Sequence, residues 1–477
     1  MDTAYVDVYP RVVPVGRKVE LKVTCRVPVP DDARAVARLI PVDRFSYDKL
    51  YDEEPARVAN GMIYLSHTFP VEQAYLLRVY LEDSDKAALE VELYALKDDL
   101  LALRPCVCDF HMHTCYSDGI ETPALRLAIA RQRGLDCVVI TDHNRYEGSI
   151  TALEALGRIP NRMVSMAGEE VHAGGMGPGV SVSPVHVLSL GSDYAIAPLK
   201  SFSTQEEYEE LRKRLAEDFE EVCEKHPSLA ALGREGAIAR VDATRENRAR
   251  LLEEAHGLGL SGSDAAAYAF TVDAFDEVAA AHGVSVLCHA LWRPIRDNAH
   301  QHRFDASLDL VEALLDHRAF DAFEVASGTP RAQTRANDLH ERLLREHCGD
   351  GVVPALGVTD THSSTGGSLD ILGMLYTVAL VDRPGESGVR EAILDGRCVP
   401  VENYPGEEAR VHASFRVARY VHFLVDHFLP VRRKNALAEG IVMERLARGG
   451  YDEGLVGALQ TLCASGEREE TRWWWSE

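Results

Sequence analysis

The chain has 477 residues, 46% of them hydrophobic, with 51 Lys+Arg against 75 Asp+Glu and a formal net charge of −24. That length allows two or three domains at roughly 150 residues each. The charge excludes a protein that coats nucleic acid or an anionic membrane, because its mean field repels phosphate polymers; a small anionic substrate stays compatible, since bound divalent cations reverse the local sign.

Residues 1–100 read as strands. "KVELKVTCRVPV" alternates cleanly, with Val19, Leu21, Val23, Cys25, Val27 and Val29 on one face, and "MIYLSHTF", "AYLLRVYLED" and "ALEVELYAL" continue the pattern between the turn-rich "PDDAR" and "EDSDK". Period two over several short runs predicts an antiparallel β-sandwich accessory domain. From residue 105 apolar runs alternate with helical ones. The strands are "CVCDF", "LDCVVIT", "RMVSMAG", "VHVLSL", "VSVLC", "DAFEVA" and "VPALGVT"; "TPALRLAIARQRG" is a helix with Thr122 as N-cap, Pro123 at its first position and Gly134 at its end. Seven strands with intervening helices predict an α/β fold over 105–400, a sheet closed into a barrel of the TIM type or a distorted relative. Residues 201–281 interrupt it as a helical insert, in which "STQEEYEELRKRLAEDFEEVCEKH" is one charged amphipathic helix with a solvated face. Residues 401–477 form a C-terminal helical extension ending in "RWWWSE". Three consecutive tryptophans cannot share one face, so either the tail docks within the chain or it makes a homo-oligomer contact.

No apolar run approaches the roughly 18 residues of a spanning helix, and the start has no basic stretch followed by an apolar one, so neither a membrane span nor a signal peptide is expected. The 10 cysteines are scattered, and Cys106 and Cys108 are the one close pair. They read as reduced thiols in a cytoplasmic protein. Cys115 and Cys288 stand beside the candidate ligands below and read as small buried residues.

Polar residues of one kind gather where the strands end. His111 and His113 follow "CVCDF", with Asp118 and a glycine close behind. His143 follows "LDCVVIT" in "TDHN", and Glu169 and Glu170 follow "RMVSMAG". His186 sits in "PVHVLSLG", His289 follows "VSVLC", and Asp360 and His362 follow "VPALGVT" in "TDTH". In a parallel barrel all strand C-terminal ends face one side, so residues far apart in the chain converge there. Neutral imidazole and carboxylate bind zinc, manganese or iron, and a carboxylate can hold two ions together. Of the adjacent glutamates, one must face away in an extended segment. Glu170 shares a face with His172 and Glu169 with Val171; turning Glu170 toward the metals lets Val171 pack, so Glu170 is the expected bridging group.

The ordered set "DFHMHTCYSDG", "ITDHN", "GEEV", "VHVLSLG", "LCH" and "VTDTH" resembles the successive motifs of the PHP superfamily, named for polymerase and histidinol phosphatase, over residues 105–380. The resemblance implies a distorted seven-stranded barrel with two or three divalent metal ions. It implies that His111, His113, Glu170 and Asp360 hold the first ion, that Glu170, His186 and His289 hold the second with Glu170 bridging, and that Asp118, His143 and His362 hold a third. The N-terminal sandwich and the "GEEV" form of the third motif are also similar to a branch that includes carbamate hydrolases. The helical insert departs from the minimal pattern of the family.

Metal chemistry then predicts hydrolysis of a small phosphorylated molecule, with cleavage of a carbamate, ester or amide on the same metals as the alternative, and a non-catalytic metal-binding interaction module as a third reading. Arg145, two residues past His143, and Arg293, four past His289, can grip a phosphate bidentately. His172 can hand a proton to the leaving group, and Ser363 and Ser364 can donate hydrogen bonds. Glu324 in "FEVASG" supports the site from a neighbouring strand end, whereas His300 and His302 follow no apolar run and read as loop.

Overall fold

The computed structural model describes residues 6–25, 29–44, 50–81, 87–172, 184–291, 306–328, 330–349, 353–364 and 371–475. It is a mixed α/β chain that divides into two compact units: Met1–Arg104 with Ser414–Arg432 and Ala464–Glu477, and Pro105–Ala413 with Arg433–Cys463. Among the described residues, no helix is long and apolar enough to cross a membrane.

In the first unit, strands β1 (Val6–Tyr9), β2 (Val12–Pro14), β3 (Lys18–Cys25), β4 (Ala35–Pro41), β5 (Asp52–Ala59), β6 (Met62–Thr68), β7 (Gln73–Leu81) and β8 (Leu89–Leu96) form one sheet in the order β1-β3-β6-β5-β4-β7-β8-β2. The alternation read from the sequence sets its buried face: Val19, Leu21 and Val23 of β3, Leu77 and Val79 of β7, and Val91 and Leu93 of β8 all enter one core. The sheet curls round that core, and its two halves are joined at β5, whose first five residues pair with β4 and whose last three pair with β6. The tryptophan tail docks on the edge strand β2. Arg11 N and Val12 N each donate to Trp473 O at 2.8 Å, and Trp475 N donates to Val12 O at 2.9 Å. Each indole carries a guanidinium: Arg11 lies 4.6 Å from the Trp473 ring, Arg104 5.0 Å from Trp474 and Arg17 4.5 Å from Trp475. The tail thereby covers a strand edge that would otherwise offer unpaired backbone groups.

The second unit holds two five-stranded sheets. One runs β10-β9-β16-β17-β18, from β9 (Arg104–Asp109), β10 (Cys137–Val138), β16 (Leu375–Val381), β17 (Cys398–Glu402) and β18 (Arg410–Val411). The other runs β11-β12-β13-β14-β15, from β11 (Gly168–Val171), β12 (Val187–Leu190), β13 (Val284–Leu287), β14 (Ala322–Ala326) and β15 (Ala355–Gly357). Single bridges join them at two places, His143 to Glu170 and Met112 to Thr361. Two details depart from the sequence reading. The strand expected at "RMVSMAG" makes one bridge, Val164 to Cys137, and the strand proper is "GEEV" itself. β12 runs antiparallel to both β11 and β13.

Within residues 201–281 the chain is helical over Gln205–Glu217, Phe219–Lys225, Gly233–Gly257 and Gly262–Ala280. Thr204 and Glu207 form a capping box at the start of the first of these. The long charged helix breaks in two at Asp218, whose φ of −121° and ψ of 34° are not helical. Within the insert lies a buried charge network. Lys200 Nζ is 2.9 Å from Asp273 and 3.1 Å from Glu277, Arg248 Nε is 3.0 Å from Asp273, and Arg240 Nε is 2.6 Å from Glu277.

Candidate metal centre

Strand ends bring the polar residues together, and the reversed β12 is part of the reason. Val187 at its start pairs with Val171 at the end of β11 and with Leu287 at the end of β13. His186, just before an antiparallel strand, therefore reaches the same end as Glu170 and His289.

Glu170 is the hub. It is fully buried, and its Oε2 lies 3.3 Å from His111 Nε2, 3.3 Å from His113 Nε2 and 2.7 Å from His143 Nδ1. Its Oε1 lies 2.5 Å from His186 Nδ1 and 3.4 Å from His289 Nε2. Asp360 Oδ1 is 3.4 Å from His111 and 3.1 Å from His113. Asp118, half exposed, is 3.6 Å from His143 Nε2 and 3.3 Å from His362 Nε2. All nine residues singled out in the sequence thus stand in one region. Three of the donor groups they form can each hold an ion: His111, His113 and Glu170; His143, Glu170 and His186; and His113, Asp118, His143 and His362.

Glu169 faces the other way, as alternation requires. Its carboxyl accepts from the backbone N–H of Ile196 and, at 3.4 Å, of Ala197. Burial pushes its pKa up to about 8, against those two hydrogen bonds.

The electrostatics of the hub call for positive charge from outside. His111 Nδ1 lies 2.7 Å from Glu324 Oε1. A carboxylate only accepts, so Nδ1 carries the proton and the lone pair of Nε2 points at Glu170 and Asp360. Both His111 Nε2 and Glu170 Oε2 are buried without a hydrogen-bond partner among the described residues. Lone pairs facing one another across about 3.3 Å in a buried site need a proton or a cation between them. The titration of the groups reflects how closely the carboxylates and imidazoles are set. Burial disfavours the charged form of His111, yet Glu324, Glu170 and Asp360 outweigh it and raise its pKa. Burial likewise opposes charge on Glu170, and His186, His111 and His143 overcome it and hold that carboxyl well below the usual range. His143 is pushed up to about 10: its desolvation is outweighed by Glu170 and Asp118. No lysine or arginine pairs with Glu170, Asp360 or Asp118 among the described residues. The donor set therefore fits divalent cations held by imidazole and carboxylate.

Other groups fix the loops. Glu324, fully buried, also accepts from His289 N at 3.0 Å, so one carboxylate orients two strand ends. Asp142 in "TDHN", buried, accepts from Thr114 N at 2.7 Å, Thr114 Oγ1 at 2.6 Å and Ser117 Oγ at 2.7 Å. Asp109 does the same for Thr359, and burial lifts its pKa to about 7 against those hydrogen bonds. The sequence reading missed both aspartates; each directly precedes a motif histidine or lies in its motif, and that position was the available signal. A Cβ at Gly119 would sit 2.6 Å from the His113 carbonyl, so the turn behind Asp118 admits glycine alone. Asp360 sits at φ +52°, strained for a residue with a side chain, while its N–H donates to His111 O at 2.9 Å.

The remaining candidates divide. His172 lies beside the cluster, its ring 4.9 Å from that of His143 and 4.8 Å from that of His186. Ser364 is committed elsewhere: its N–H and hydroxyl both donate to Glu121 Oε1. Burial raises the Cys288 pKa well above the thiol range, and its Sγ faces Val286 O, so it is a core thiol. Cys115 is exposed, not buried as expected. Arg293, His300 and His302 lie outside the described residues. Arg145 lines a cavity of about 500 Å³ that opens from His143 and His172 toward the insert helices.

No protein-family model matches the chain, and no curated protein matches it. Among solved structures it is similar to a two-domain protein from Bacteroides vulgatus whose PHP-like domain is assigned by inference to the metal-dependent phosphoesterases (16% identity, TM-score 0.36, covering 63% of this chain and 66% of that one). It is similar to a protein from Bifidobacterium adolescentis assigned to the same class by inference (24%, TM-score 0.33, 61% and 96%). It is also similar to an amidohydrolase from Chromobacterium violaceum with bound sulfate and no metal (22%, TM-score 0.31, 54% and 87%). The structural neighbours thus include PHP-like metal-dependent phosphoesterases and an amidohydrolase.

Proposed function

We propose that the protein is a metal-dependent hydrolase that cleaves a phosphoester bond in a small molecule. The observation that carries the reading is Glu170: a fully buried carboxylate ringed by five imidazoles, with no lysine or arginine pairing with it among the described residues. On this reading strands β9 to β15 form a distorted seven-stranded barrel, supported by the two bridges that link the sheets. His111, His113, Glu170 and Asp360 would hold one divalent ion, Glu170, His186 and His289 a second, and Asp118, His143 and His362 a third. Manganese, iron and zinc suit that donor set.

Bound ions of this kind lower the pKa of a water and neutralise charge growing on phosphoryl oxygens. The chain's own groups do the rest. Glu324 fixes the tautomer of His111, so that Nε2 keeps its lone pair for the site. Asp142 and Asp109 hold the two loops that carry His113 and Asp360. Arg145 lies on the cavity wall beside His143 and can grip a phosphoryl oxygen. His172, on the same wall, can give its proton to the leaving oxygen. Purified protein loaded with manganese should hydrolyse p-nitrophenyl phosphate or its bis ester, and chelation should stop it. Turnover of an aryl carbamate or ester with neither phosphate cleaved would overturn the phosphoester reading.

A further inference from the structure

The cavity beside His143 has a composition unlike that of the chain. In a sequence with 75 acidic residues among 477, no aspartate or glutamate lines it among the described residues. Its polar wall carries Arg145, Arg214, Lys200, His172, His226 and Asn144. Lys200 is spent on Asp273 and Glu277, and His226 is tied to Glu147 at 3.0 Å. Arg145 and Arg214 are different. Both side chains are exposed; Arg145 acts on Glu147 and Arg214 on Glu221 through space, without a direct ion pair among the described residues. By contrast Arg212, two residues from Arg214 on the same helix, is paired with Asp242 at 2.9 Å. Apart from Ser201, the rest of the wall is apolar, with Val171, Leu211, Leu215, Val222, Leu229 and Phe270 among its residues. A volume of about 500 Å³ suits a small organic molecule.

We infer that the substrate carries a second anionic group, joined to the phosphoryl group by an apolar body, and that Arg214 binds that second anion. The inference rests on the reading that a phosphoryl group occupies the metal end. The physical ground is simple. A cavity whose lining joins His143 of the cation-binding cluster to Arg214 of the insert, with apolar side chains and no carboxylate in that lining among the described residues, is complementary to a molecule with two negative groups. Arg214 is a specificity-determining residue contributed by the insert, and the insert thereby selects the substrate.

Phosphonates test this without turnover, because their carbon–phosphorus bond is not cleaved. Calorimetric titration of the manganese-loaded protein would compare alkylphosphonates with ω-carboxyalkylphosphonates of equal chain length. At the length that spans the cavity, the terminal carboxylate should tighten binding about tenfold or more, a gain expected of one charge-assisted bidentate contact. Arg214→Ala should abolish that gain, and Arg212→Ala, on the same helix and outside the cavity, should keep it. Phosphonate binding with no gain from the carboxylate at any length, or a gain untouched by Arg214→Ala, overturns the second-anion site and leaves the metal reading standing. Failure of every phosphonate to bind overturns both.

Discussion

Two buried charge clusters in the second unit are built on opposite terms. In the insert, Asp273 and Glu277 are matched by Lys200, Arg240 and Arg248, and the remaining donors are used up: Tyr194 OH bonds Glu277 at 2.9 Å, and Arg248 reaches Phe202 O at 2.6 Å. That network is closed, and it ties the insert helices together. At the strand ends, Glu170, Asp360 and Glu324 are set among imidazoles, and lone pairs are left facing one another. The lesson is one of charge balance. A buried ionic cluster that serves structure brings its own cations; one that must receive metal leaves their places open.

Breaking the open cluster should have the largest effect. Glu170→Gln replaces the central carboxylate by an amide that cannot bridge two cations, so hydrolysis should fall by several orders of magnitude while the chain stays folded by circular dichroism. Glu169→Gln should keep most of the rate, since the amide oxygen can still accept from Ile196 and Ala197. The reverse result would mean that the side chains of β11 face the other way.

Breaking the closed cluster should instead cost stability. Lys200→Met leaves two buried carboxylates short of a cation and Thr244 Oγ1 without its 2.6 Å donor. A loss of about 3 kcal/mol is expected in denaturant unfolding, with metal content unchanged. A metal-poor Lys200→Met protein would deny that the clusters are separate.

A third arrangement sharpens the contrast. His412 lies between Glu341, at 2.7 Å, and Glu402, at 3.0 Å, and there the chain supplies positive charge by taking up a proton. Burial opposes this, but the two carboxylates raise its pKa to about 9. The folded value lies above the unfolded one, so the stabilisation is complete below about pH 6.5 and fades as pH rises through 9. His412→Gln should therefore lose roughly 3 kcal/mol at pH 6 and progressively less toward pH 10. A pH-independent loss would remove the charge argument.

The smallest effect is expected at Glu324. Glu324→Gln keeps the shape but weakens the hold on His111, and metal affinity should drop roughly 10- to 100-fold, read by chelator competition. An unchanged affinity would show that β9 orients His111 without help.

Much of the candidate site could be read before any coordinates, because its residues follow apolar runs and an apolar run that ends in histidine is visible in sequence. The face of Glu170 followed from strand alternation together with the need to pack Val171, which is fully buried. Other features rest on long-range pairing. Nothing local in "PVHVLSLG" says that β12 runs backwards. The single curled sheet depends on β5 pairing with two partners, which its sequence does not announce. Asp142 and Asp109 act by capping backbone that arrives from elsewhere in the chain. The lack of carboxylates in the cavity lining, among the described residues, becomes visible only when the insert helices are placed beside His143.

Elemental analysis of the purified chain, before and after reconstitution with manganese, tests the open-cluster account most directly. At least two equivalents of manganese, iron or zinc per chain are predicted for the wild type and for Lys200→Met, and less than one for Glu170→Gln. A wild-type chain that holds less than one equivalent, and gains none on reconstitution, would contradict the account.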